Sequence, residues 1–107
     1  MTEPNQLAAE RAVRELRAAG QLAEAVRLVG RLGPYGAADG PDATTSLGAA
    51  VLEEYGDQLA AVDPAAADAV YRDAANDQRS FAGGATSGGE GLARIAEADR
   101  IEAKRRR

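Results

Sequence analysis

The chain has 107 residues, no Cys, no His and no Trp, and a formal net charge of −4 at pH 7, which removes disulfides, thiolate nucleophiles, imidazole bases and the N/S ligands that zinc and copper prefer. Nine Leu, six Val, two Ile and one Phe make up about 17% of it, and 26 Ala supply most of the remaining apolar count, so one small domain with a shallow core is expected, one that a partner or a second copy would help. The charge is segregated: residues 1–33 hold five Arg and four acids, residues 34–91 two Arg and ten acids, and residues 92–107 six bases and three acids.

The segment Met1-Thr2-Glu3-Pro4 has no basic region followed by an apolar stretch, and no run reaches the length of a membrane span, so a cytoplasmic protein is expected. Twelve Arg against one Lys, with abundant Ala and Gly, points to a GC-rich bacterial or phage genome. A first helix is predicted from Leu7 to Ala19, with Ala9, Ala12, Val13, Leu16 and Ala19 on one stripe and Glu10–Arg14 and Arg11–Glu15 as i,i+4 pairs. Gly20 breaks it. A second helix carries Leu22, Ala25, Val26, Val29 and Leu32 until Gly33-Pro34 forbids continuation.

Together these form an αα-hairpin. The segment from Leu16 to Val29, with Gly20 at the turn, Ala25 at a small contact position and Val29 at a large one, resembles one tetratricopeptide unit. The first helix lacks the aromatic positions of that unit, the closing Pro is not at its offset, and no second copy follows about 34 residues on. A generic helical hairpin accounts for the same pattern, so no family is assigned.

Residues 34–46 hold two Pro and two Gly and read as a loop. Thr45 or Ser46 then caps a third helix with Leu47, Val51, Tyr55, Leu59 and Val62 on one face. Asp63-Pro64 is the clearest helix start in the chain, because Asp caps and Pro suits the first turn. It opens a fourth helix with Ala67, Val70, Tyr71, Ala74 and Phe81 inward. Five glycines among residues 82–91 predict a flexible loop, and Ser87 with Glu90 has the spacing of a capping box. A fifth helix follows through Leu92, Ile95, Ala98 and Ile101 to Lys104-Arg105-Arg106-Arg107, whose charges suit a helix C-terminus.

Four constellations bear on chemistry. Gly83 and Gly88 have the gap of a phosphate-binding loop, but Gly89-Glu90 stands where Lys and Ser/Thr are required. Asp42, Thr44, Ser46 and Glu53 match a calcium-loop register, but Leu47 occupies the position that needs Gly. The pairs Glu53/Asp57 and Asp73/Asp77 are spaced to hold a divalent ion, though a solvated face is the ordinary role of such pairs. Phe81-Ala82-Gly83 is similar to the aromatic-x-Gly turn of the small helical-hairpin substrates of type VII secretion. In that family the turn lies near the middle and a Tyr-x-x-x-acid signal follows it; here neither holds.

The expected fold is all-α, a small bundle of four to five short helices: an N-terminal αα-hairpin, two central helices and a C-terminal helix after a Gly-rich loop. Residues 1–82 are expected to form the bundle core, 83–91 a Gly-rich flexible loop and 92–107 a C-terminal helix with a basic end. The faces Leu22/Val26/Val29 and Val51/Tyr55/Leu59 are expected to build the core. Leu92, Ile95, Ile101, Arg105, Arg106 and Arg107 are expected to engage a partner. No catalytic, cofactor-binding or metal residue is assigned, and no small-molecule substrate or membrane is implied. The expected role is a non-catalytic protein–protein interaction module, adaptor or assembly component of a bacterial or phage system, binding a protein partner or self-associating as a homo-oligomer. The alternative is an accessory to a nucleic-acid-handling complex, with the basic tail on phosphate or the acidic body competing for a basic surface.

Overall fold

The computed structural model describes residues 4–33, 36–40 and 44–106. The N-terminal tripeptide, parts of the loop expected over residues 34–46, Asp42 of the calcium register and Arg107 lie outside the described residues. Among the described residues the chain forms five α-helices and no strand, the all-α bundle that the periodicity predicts.

Helix α1 (Pro4–Ala18) closes at the predicted glycine. Gly20 has φ 75°, its N–H donates to the Arg17 carbonyl at 3.0 Å, and the N–H of Gln21 donates to that of Leu16 at 2.9 Å. This pair of backward bonds is a Schellman end, which requires a left-handed residue at that point. Helix α2 (Leu22–Val26) is shorter than expected and is followed by a 3₁₀ turn, Val29–Arg31. In a 3₁₀ turn residues i and i+3 eclipse, so Val29 and Leu32 keep the shared inward face that the helical spacing predicts. Leu32 is buried, and Val29 packs against both halves of the core.

Helix α3 (Leu47–Ala60) starts at Ser46, whose hydroxyl accepts the Ala49 N–H at 3.3 Å. Two backbone bonds, Leu47 N–H to the Ala37 carbonyl and Asp39 N–H to the Thr45 carbonyl, both 2.7 Å, tie residues 37–39 alongside that start. All residues from Leu47 to Leu52 are buried, so α3 is the central helix. Leu47 and Val51 meet Ala9, Val13, Ala25 and Leu32 on one side. Ala49 and Leu52 meet Ala74, Ala75 and Ile101 on the other. The expected single stripe therefore holds only in part: Tyr55 and Leu59 are half-buried, and Val62, beyond the helix end, is 79% exposed.

Helix α4 (Pro64–Ala82) opens as predicted, with the Asp63 carboxylate accepting the Ala66 N–H at 3.1 Å and Pro64 in the first turn. The most extensive packing in the molecule is α3 against α4, followed by α4 against α5. The first contact depends on Gly56: a Cβ there would stand 2.6 Å from the Tyr71 ring.

Helix α5 (Gly88–Ala103) is capped by Ser87, which accepts the Glu90 N–H at 3.1 Å. The Glu90 carboxylate reaches back to the N–H and hydroxyl of Thr86 at 3.0 and 2.8 Å. Three of the glycines assigned to a loop, Gly88, Gly89 and Gly91, lie inside this helix, so the irregular connection is residues 83–87. The helix runs on into a 3₁₀ turn, Lys104–Arg106. No helix among the described residues is long and apolar enough to cross a membrane.

The face of helix α5 and the charged seam behind it

Helix α5 presents two chemically distinct sides. Its inward side carries Arg94, Ala98 and Ile101, a spacing of four and three residues that keeps one face, and Arg105 follows in the 3₁₀ turn. Ala98 and Ile101 are fully buried, and Ile101 belongs to the core cluster of Ala49, Leu52, Ala74 and Ala75. Its outward side carries Leu92, 71% exposed, and Ile95, 45% exposed.

The six residues expected to meet a partner therefore have different placements. Leu92 and Ile95 face solvent one turn apart. Ile101 is sequestered in the intramolecular core and is not a surface residue. Arg105 donates to Asp68 at 2.9 Å and to Glu102 at 2.9 Å, Arg106 is exposed, and Arg107 lies outside the described residues.

Behind that face runs a seam of ion pairs joining the basic end of α5 to the acidic middle of the chain. Arg100 grips the Glu53 carboxylate with two bonds of 2.6 and 2.8 Å and also donates to Glu97 at 2.9 Å. Lys104 stands 2.7 Å from Glu53 and 2.9 Å from Asp57. Tyr71 donates its hydroxyl to Asp57 at 2.5 Å. Burial acts to raise the Glu53 carboxyl, but the bonds and charges of Arg100 and Lys104 outweigh it and hold the group below the ordinary carboxylate value. Burial likewise acts to lower Lys104, and Glu53 and Asp57 override it, so its ammonium is held above the ordinary value. The acidic pair Glu53/Asp57 is thus the counter-charge of Lys104 and Arg100. A cleft of about 480 Å³ opens beside the seam, lined by Pro64, Ala67, Tyr71 and the pairs Lys104–Asp57 and Arg105–Asp68.

The upper end of α5 is fixed by polar groups that the sequence reading passed over. Gln78 is fully buried. It accepts the Ser46 N–H at 2.9 Å and donates to the carbonyls of Thr44 at 2.8 Å and Arg94 at 3.0 Å, joining the start of α3 and the second turn of α5 to α4. Its signal was present: Ala67, Tyr71, Ala74 and Phe81 mark an inward stripe on which position 78 is the next in register. Asp77 of the second acidic pair turns inward and accepts the Ser46 hydroxyl at 2.5 Å, while Asp73 is exposed beside Arg72. Burial pushes the Asp77 carboxyl above its ordinary value against the bonds from Ser46 and the Ala49 backbone. Gly48 leaves room for it, since a Cβ there would lie 2.9 Å from Asp77 Oδ2.

The remaining motifs acquire structural roles. Ser46 of the calcium register is a buried helix cap and Glu53 is ion-paired. Phe81-Ala82-Gly83 is the end of α4, with Phe81 buried. No group of three or more His, Cys, Asp or Glu among the described residues is placed to hold a metal ion. No protein-family model, curated protein or solved structure matches this chain.

Proposed function

We propose that the chain is a non-catalytic interaction module, an adaptor or assembly component that meets a protein partner or another copy of itself through the outward face of α5. The observation that carries this reading is the exposure of Leu92 and Ile95 one turn apart on a helix whose other side is docked. Ala96, on the same outward side, is also exposed, so the two large side chains are flanked by a small one that lets another helix approach.

The nucleic-acid alternative draws on the basic end of α5. Arg100, Lys104 and Arg105 each already hold a carboxylate, so phosphate would have to displace an existing partner to meet them. That weighs toward the protein-binding reading.

Light scattering across a wide concentration range, repeated on Leu92→Glu/Ile95→Glu, tests self-association. Both positions are exposed, so the variant retains the fold, and the reading expects any oligomer of the wild type to return to the 11.0 kDa monomer. A photo-cross-linker at position 95, in the cells that make the protein, tests a different partner against the same cross-linker at exposed Arg72. A monomer at every concentration, together with no adduct at position 95 above that control, would overturn the reading.

A further inference from the structure

We propose that the α3–α4 face beneath α5 is a binding groove for a basic amphipathic helix, and that α5 is its resident occupant, displaceable while the rest of the chain stays folded. The inference goes beyond the outward face of Leu92 and Ile95 and does not depend on it.

Three features of the docking carry it. The first is how little apolar surface holds α5. Of its residues, Ala98 and Ile101 are the fully buried apolar ones. One Ile and one Ala are a small hydrophobic return for ordering 16 residues, so polar and ionic contacts must supply much of the rest.

The second is the exposure of those ionic contacts. At the rim of the seam Arg100 and Asp57 keep about half of their side-chain surface in water and the Arg105–Asp68 pair is partly exposed, while Glu53 and Lys104 behind them are largely shielded. Pairs at the rim are screened by salt within a Debye length of roughly 8 to 10 Å. The rim of the seam therefore weakens with ionic strength, whereas the α3–α4 contact of Gly56 on Tyr71 does not.

The third is the glycine content of the α5 start. A Cβ at Gly88 or Gly89 would meet nothing within 4 Å, and neither glycine has a positive φ. Packing and backbone geometry do not demand glycine at these two positions. Their effect is to weaken the first turn of α5, because glycine is a poor helix former. Gly83 and Gly84 add freedom to the connection behind it.

Removal of α5 would uncover the side of the Ala49, Leu52, Ala74 and Ala75 cluster that Ile101 covers, with Gln78 and Phe81 beneath Arg94, and leave it rimmed by Glu53, Asp57 and Asp68. An apolar strip of small residues with an acidic rim is complementary to a helix with small and branched apolar residues inward and Arg or Lys beside them. α5 is one such helix.

Hydrogen exchange of the full chain, resolved along the sequence at about 0.05 M and about 0.5 M NaCl, tests whether α5 opens on its own. Amides of α5 should exchange at least tenfold faster than those of α3 and α4, with the gap widening in high salt. Gly88→Ala/Gly89→Ala should slow α5 by a few-fold and leave α3 unchanged. Equal exchange of α5 and α3 at both salts would overturn independent release. Anisotropy of a labelled peptide of residues 88–106 tests the groove. It should bind full-length Arg100→Ala/Arg105→Ala several-fold more tightly than wild type, whose own α5 competes at high effective concentration. A peptide that fails to bind a variant whose α5 exchanges rapidly would overturn the groove.

Discussion

The guanidinium of Arg94 lies 3.7 Å above the centre of the Phe81 ring. It donates to the Phe81 carbonyl at 2.6 Å and to Glu90 at 2.6 Å, so one buried cation closes the last turn of α4, caps its aromatic side chain and braces the first turn of α5. Loss of a hydrogen bond to a charged group, here from Arg94 to the Phe81 carbonyl, typically costs about 1.5 to 3 kcal/mol. Arg94→Ala should destabilise toward that range, with α5 the most affected element. Arg94→Lys keeps the charge but loses the planar stack and the forked donors, so it should recover only part of the loss. Denaturant unfolding of the two variants measures this, and equal stability of Arg94→Lys and wild type would contradict the stacked geometry.

Gln78 should be as sensitive for another reason. Its side chain bonds three backbone groups on two segments, residues 44–46 and α5. Gln78→Leu fills similar space but leaves those groups to find other partners or go without, at about 1 to 3 kcal/mol for each buried group left unpaired. A loss of at least about 2 kcal/mol is expected in chemical unfolding. A neutral substitution would show that water or a local shift satisfies the three groups.

Gly56→Ala should destabilise the protein although alanine is the better helix former. The propensity gain is about 1 kcal/mol, but the new Cβ would sit 2.6 and 2.8 Å from two carbons of the Tyr71 ring, and overpacking of that kind costs about 1 to 3 kcal/mol. The ring is buried and its hydroxyl is tied to Asp57, which limits its retreat. The thermal midpoint should fall; a rise would mean that α3 and α4 separate at little cost.

The pH dependence has two opposing parts. Glu53 is held below the ordinary carboxylate value, net of burial, by Arg100 and Lys104; Asp68 is held low by Arg105, and Glu90 by the Thr86 N–H and hydroxyl and by Arg94. A depressed folded-state pKa means that their contribution is present above the unfolded value and lost as pH falls through the folded one. Asp77 is raised, so its contribution is favourable below its ordinary 3.8 and is lost as pH climbs through the folded value. At neutral pH the ionised Asp77 therefore costs stability. Asp77→Asn still accepts the Ser46 hydroxyl, and its thermal midpoint at pH 7 should equal or exceed that of wild type, the advantage shrinking below about pH 4. A deficit at pH 7 would show that the charge on Asp77 is favoured by the nearby start of α3 more than burial opposes it.

Much of the bundle was legible because local chemistry and tertiary packing agree. Gly20 sits where a left-handed end is required, and Ser46, Asp63 and Ser87 all accept the N–H three residues on. The facing of α5 was legible only in part. Leu92, Ile95, Ala98 and Ile101 recur every three residues, a step that turns each side chain about 60° around a 3.6-residue helix, so the series begins outside and ends inside. The true inward face, Arg94, Ala98 and Ile101 with Arg105 in the turn that follows, starts and ends on a cation, which a search for apolar periodicity passes over. Likewise the charge segregation was visible in the sequence, but that the basic end meets the acidic middle of the same chain depends on the fold. The shortening of α2 was not legible, because its apolar spacing suits both a continuing α-helix and the 3₁₀ turn.

The central claim is that the basic end of α5 is held by the acidic faces of α3 and α4. Charge reversal within one chain tests it most directly: Arg100→Glu/Lys104→Glu/Arg105→Glu, Glu53→Lys/Asp57→Lys/Asp68→Lys, and all six together. Each triple variant should lower the unfolding free energy, and the sextuple variant should recover most of the loss, giving a coupling energy of about 1 to 3 kcal/mol. Additive losses, with no recovery in the sextuple variant, would contradict the seam.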